Sequence, residues 1–96
     1  MAKLHDLKTV QPFFDDVISG RKPFEVRFND RDYQVGEQVR LWEYDVENQQ
    51  FTWWATPLLK ITYVLDNPQF CKEGFVIFGF EPQGEMMRHK MARVAR

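Results

Sequence analysis

One stretch of this chain spaces its apolar residues for a helix, and almost all the rest reads as short strands between turns. Val10, Phe13, Phe14, Val17 and Ile18 fall at the spacing that lines one face of a 3.6-residue period. Pro12 sits in the first turn, where a missing N–H is tolerated, and Asp15 and Asp16 lie in the half of a helix that favours negative charge. Gly20 suits a left-handed stop, and Arg21 and Lys22 suit a helix C-terminus. The spacing therefore predicts one helix beginning near residue 10 and ending at Gly20.

Beyond it the period changes to two. Lys22, Phe24, Val26 and Phe28 share one face of a strand, and Pro23, Glu25 and Arg27 share the other. The expectation is that one face meets the core and the charged one meets water or a ligand. Asn29, Asp30, Arg31 and Asp32 have turn chemistry, because Asn and Asp side chains bond their own backbone. Gly36 marks a second turn before a strand at 38–44 with Val39 and Leu41 inward, and 45–50 reads as a polar hairpin loop. The aromatic and β-branched run 51–65 is divided at Pro57, which cannot donate to a ladder. After a turn at 66–68, residues 74–80 form a nearly continuous apolar strand, and residues 4–8 read as a first strand. Short strands joined by turns, with one helix, predict a mixed α/β (α+β) fold, a small barrel with a covering N-terminal helix.

The 96 residues have room for one core. With 44% hydrophobic residues, including nine Phe, three Trp and three Tyr, that core needs no disulfide and no metal. A net charge of −1 excludes a uniformly basic nucleic-acid binder, so any such binding must use a local patch. Cys71 is the single cysteine, which rules out an internal disulfide and any multi-cysteine metal site and fits a reducing compartment. No secretory core is visible in the first ten residues, and no apolar run approaches the roughly 20 residues that span a bilayer. The expectation is a cytoplasmic protein with no membrane contact. The domain reading is a body at 1–82 and a basic tail at 83–96, in which Arg88, Lys90, Arg93 and Arg96 outnumber Glu85. That tail reads as frayed or packed on the body, with a phosphate-touching arm as the alternative. Met87, Met91 and Val94 have the spacing of a short helical stripe that would be marginal alone.

The segment 20–31 carries the best candidate chemistry. Glu25 and Arg27 stand two residues apart on one strand face with Lys22 at its mouth. A cation, a carboxylate and a forked guanidinium suit recognition of a planar polar ligand such as a base. The plainer reading is a surface ion pair of little consequence. The spacing Gly20-x-Lys22-x-x-Glu25-x-Arg27 resembles the signature of ASCH domains, which belong to the PUA-like fold group. The resemblance extends over about residues 4–80 to a phage and bacterial ASCH-like family of unknown function. It runs through His5, Leu7, Lys8, Asn29, Asp30, Arg31, Val35 and Gly36, then Leu41, Glu43, Tyr44 and Asp45, then residues 62–66 and 70–74.

That resemblance implies a pseudobarrel with a cleft beside the helix–strand junction, lined by Lys22, Glu25 and Arg27, with Asn29, Asp30 and Arg31 near its rim. His5 would approach the same cleft. It implies an RNA- or modified-nucleotide-binding module without cofactor. Some relatives are amidohydrolases of acetylated cytidine nucleosides that use a lysine, a threonine and a distant glutamate. Lys22 matches the lysine, but Glu25 occupies the threonine position, and Glu73 is a weak stand-in for the glutamate. In a hydrolase, Lys22 and Glu25 would be the catalytic pair, with the carboxylate acting as base toward water. A third reading is a phage-encoded factor that binds a host protein.

Other features weigh toward structure. Trp53 and Trp54 point to opposite faces of a strand, so one is expected in the core and one partly exposed. Arg40, Trp42 and Tyr44 share a face and make a better interleaved basic–aromatic set, with cross-strand packing as the plain alternative. His5 and His89 have no ligand-rich neighbours, so no metal is expected. Cys71 reads as a partly buried, inert thiol.

Overall fold

The turn clusters bracket seven strands and one helix among residues 3–91, the part of the chain that the computed structural model describes. The order is β1 (Leu4–Thr9), α1 (Phe13–Ile18), β2 (Phe24–Phe28), β3 (Gln38–Asp45), β4 (Gln50–Ala55), β5 (Leu59–Leu65), β6 (Phe75–Pro82) and β7 (His89–Lys90). They form one sheet in the order β2-β6-β5-β3-β4-β7, antiparallel throughout, with β1 added in parallel to β3. The register sets Leu4 opposite Gln38 and Thr9 opposite Glu43. The sheet curls into a half-barrel, and the fold is mostly β.

Alternation decides the inside. Leu7, Val39, Leu41, Leu59, Ile61, Val76, Phe78 and Phe80 point inward and are buried. Helix α1 adds Phe14 and Val17, both fully covered and each contributing about 1.5–3 kcal/mol by apolar burial. The break at Pro57 separates β4 from β5, as its missing donor requires. Thr56 repairs the ladder there: its Oγ1 accepts from the Leu41 N–H at 3.1 Å and donates to the Pro57 carbonyl at 2.8 Å.

Four expectations are corrected. The covering helix is only six residues long, and the class is mostly β rather than an even mixture. Pro12 stands at its N-cap and Gly20, at φ +82°, follows its end, so Val10 falls outside and Phe13 remains 48% exposed. Strand β2 is turned over. Glu25 and Arg27 lie opposite the buried Phe78 and Val76, whereas Phe24, Val26 and Phe28 face outward at 40%, 51% and 57% exposure. The inversion is tolerated because Glu25 meets two cations inside, and Phe28 packs edge-on to Phe75 at 5.6 Å outside. Neither Trp53 nor Trp54 enters the core; both are half-buried. The register of β3 on β4 slips between Tyr44 and Trp42, and the bulge carries Trp53 at φ +71°.

The described part of the tail is extended and packed on the body, and the marginal helical stripe does not form there. His89 and Lys90 pair with Ala55 and Trp54, and Met86 packs against the core. Arg88 reaches Asp15 at 2.7 Å and Lys90 donates to the Thr52 carbonyl at 2.7 Å. Arg93, Val94 and Arg96 lie outside the described residues. No helix among the described residues is long and apolar enough to cross a membrane.

Candidate functional site

The half-barrel leaves a seam between the outer edge of β2 and the end of β1, and charged side chains occupy it. Gly20 turns the chain out of α1, so that Lys22 precedes β2 and bends back toward the strand interior. Its Nζ donates to Glu25 Oε1 at 2.6 Å and to the Phe24 carbonyl at 3.0 Å. Arg27 Nε donates to Glu25 Oε2 at 2.9 Å. Glu25 is only 4% exposed, and a carboxylate so buried is stable only when its charge is met and its oxygens are bonded. Both conditions hold, one cation to each oxygen. Arg27 then reaches across the seam, where Nη2 donates to the Lys8 carbonyl at 2.9 Å and to Thr9 Oγ1 at 3.1 Å. Its planar fork therefore ties β2 to β1.

Around this cluster opens a cleft of about 510 Å³, within the size range of small-ligand sites. Its lining combines apolar side chains, Val10, Phe13, Val26, Phe28 and Phe75, with the polar set Lys8, Thr9, Lys22, Glu25 and Arg27. Two cations, Lys22 and Arg27, meet one carboxylate, so the lining favours an anion. The Lys22 ammonium lies 5.7 Å from the Phe13 ring and 5.3 Å from the Phe24 ring, which keeps its charge beside flat apolar surface. Behind the cluster, Tyr33 is 3% exposed, and burial pushes its phenol up, partly offset by Arg27 and Arg31. A ligand with a planar part and a negative group matches this mixed lining.

Of the residues expected here, Lys22, Glu25 and Arg27 are brought together. Asn29, Asp30 and Arg31 do not line the cleft. The Asp30 N–H bonds back to the Phe28 carbonyl at 2.9 Å and closes β2, so the chain turns away into an exposed loop. There the Asn29 carboxamide accepts from the Tyr33 N–H at 3.3 Å. His5 goes into the core instead, 1% exposed and bonded to Glu37. Glu73 lines a separate hollow beside Cys71, whose thiol is half-buried and 3.4 Å from the Leu65 carbonyl. Among the described residues no His, Cys, Asp or Glu cluster could hold a metal ion. Sequence reasoning missed Lys8, Thr9 and Phe13. The alternation of β1 offered a signal, since it puts the polar Thr9 on the same buried face as Leu7.

Comparison with known proteins places the chain in a family. The family described as "Domain of unknown function (DUF3850)" matches residues 4–80, and the chain belongs to it. A stretch of 44 residues is 41% identical to the "Uncharacterized 12.9 kDa protein in GpA 3'region" of Escherichia phage P2. That match takes in 46% of this chain and 40% of the phage protein, so the chain spans well under half the length of this relative.

Proposed function

We propose that this member of a family of unknown function is a binding module of the ASCH type, within the PUA-like group, whose cleft takes an RNA or a modified nucleotide. The observation that carries the reading is the convergence of Lys22 and Arg27 on the buried Glu25, at 2.6 Å and 2.9 Å, in the wall of an open cleft. Lys22 and Arg27 supply charge for a phosphate, and the Phe13 ring supplies a flat surface for a base. Glu25 acts as a positioning residue that holds the ammonium and the guanidinium in place. The half-barrel with its seam beside the helix–strand junction agrees with a PUA-like pseudobarrel.

The test is a titration of a fluorescently labelled single-stranded RNA and of modified mononucleotides. Lys22→Ala and Arg27→Ala, each checked for folding by urea denaturation, should weaken binding about tenfold or more, as the loss of a charge-assisted bond requires. Binding should also fall as salt rises. Identical titration curves for the wild type and both variants would remove the proposal. The hydrolytic alternative rests on the same Lys22–Glu25 contact, but both Glu25 oxygens already accept cations, which leaves no idle base. Turnover of acetylcytidine by the wild type and not by Lys22→Ala would replace binding with catalysis.

A further inference from the structure

The face of the sheet opposite the core carries a second hollow that the cleft does not explain. On the outside of β1, β3 and β4, four rings follow one another. Tyr44 lies 5.1 Å from Phe51, Phe51 lies 5.5 Å from Trp53, and Trp53 lies 6.0 Å from Trp42. All four are half-buried, held by one another outside the core with part of each ring at the surface. Together with Asp6, Leu7 and Lys8, three of them line a hollow of about 280 Å³.

Two features set this face apart from ordinary cross-strand packing. The first is its cost. In an unbroken register Trp53 would stand opposite Trp42, but the bulge sets Ala55 there and holds Trp53 at φ +71°, where a bulky residue is a genuine outlier. Strain of this kind gathers at ligand sites. The second is its border. The Lys8 ammonium sits 4.5 Å over the Tyr44 ring and the Arg40 guanidinium 5.2 Å over the Trp42 ring. Asp6 accepts from Trp42 Nε1 at 2.8 Å and from Arg40 Nε at 3.2 Å, which fixes both groups and balances its charge against Arg40. Lys8 remains, and it borders both this hollow and the cleft.

We infer that this face is a stacking platform for single-stranded RNA, taking the nucleotides that flank the one in the cleft, with Lys8 between the two subsites. The inference rests on the proposed function of the cleft. Aromatic faces interleaved with cations complement a chain of bases and phosphates and read no particular sequence, which is how single strands are held. A proline-rich peptide would use the rings but not the cations.

The experiment compares two probes, a labelled single-stranded RNA of about ten nucleotides and cytidine monophosphate, on the wild type, Lys22→Ala, Trp53→Leu and Phe51→Leu. Leucine keeps an apolar side chain and removes the ring face, and Phe51→Leu, the smaller change at a position outside the left-handed region, covers the case in which Trp53→Leu misfolds. Both ring variants should bind the RNA about tenfold more weakly, the worth of one stacked base, and bind the mononucleotide as the wild type does. Lys22→Ala should weaken both probes. RNA binding unchanged in both ring variants but weakened in Lys22→Ala would overturn the platform and leave the cleft. RNA binding weakened by the ring variants and indifferent to Lys22→Ala would keep the platform and remove the cleft. Failure of the wild type to bind RNA, or RNA-independent capture of a proline-rich peptide by these rings, would overturn the platform outright.

Discussion

His5 shows what a single polar side chain does when the core takes it in. It is 1% exposed, its Nε2 lies 2.7 Å from Glu37 Oε1, and its ring meets the Tyr33 edge at 4.8 Å. Partial burial alone would raise the Glu37 carboxyl, but the bond with His5, the Gln34 N–H and the pull of His5 and Lys3 hold it below the ordinary range. A carboxyl lowered on folding adds stability that is complete above its unfolded value and is lost as the pH falls through the folded one. Glu37→Gln should therefore cost about 1.5–3 kcal/mol near neutrality, the worth of bonds to a charged group. The gap should persist down to about pH 5 and close in more acid solution, where the wild type protonates. Urea unfolding of both proteins across that range checks it, and a gap independent of pH would refute the lowering of the Glu37 carboxyl.

At the scale of elements, β2 makes the strongest demand. Its outward Val26 is 51% exposed, so Val26→Thr should change stability by less than about 0.5 kcal/mol, as surface substitutions do. A strand with its apolar side inward would lose several times more, and the urea midpoint distinguishes the two. The position of β2 was legible in the sequence from Gly20 before it and the Asn29–Asp30 turn after it; its facing was not. Alternation defines two faces without saying which is inside, and here the choice depends on Thr9 and the Lys8 carbonyl, supplied by a strand distant in the chain. The meeting of Lys22, Glu25 and Arg27 was legible because they are neighbours in sequence. Their partners across the seam were not, for the same reason. Helix α1 was overdrawn because five apolar residues matched its stripe while the caps at Pro12 and Ser19 leave six residues between them. The bulge at Trp53 had no sequence signal, since the residue in the left-handed region is neither Gly nor Asn.

For the molecule as a whole, the tail helps to close the sheet. Residues 84–91 cover the edge of β4, bring Met86 to the core and set Lys90 and Arg88 at 5.2 Å and 5.6 Å from the Trp54 ring. A chain ending at Gln83 should be about 1–3 kcal/mol less stable by the loss of that burial, with tryptophan emission shifted toward the red. Unchanged stability and emission would make the tail a mere appendage. The parallel pairing of β1 with β3 has a consequence of another kind. A parallel partner requires a long crossover, so β1 waits for α1, β2 and the following turns before it can dock. Lys8 and Thr9 travel with it. A nascent chain still short of Glu43 on the ribosome thus has neither surface; the aromatic face is complete once β4 delivers Phe51 and Trp53, and the cleft only later, when β6 emerges to pair with β2 and bring Phe75.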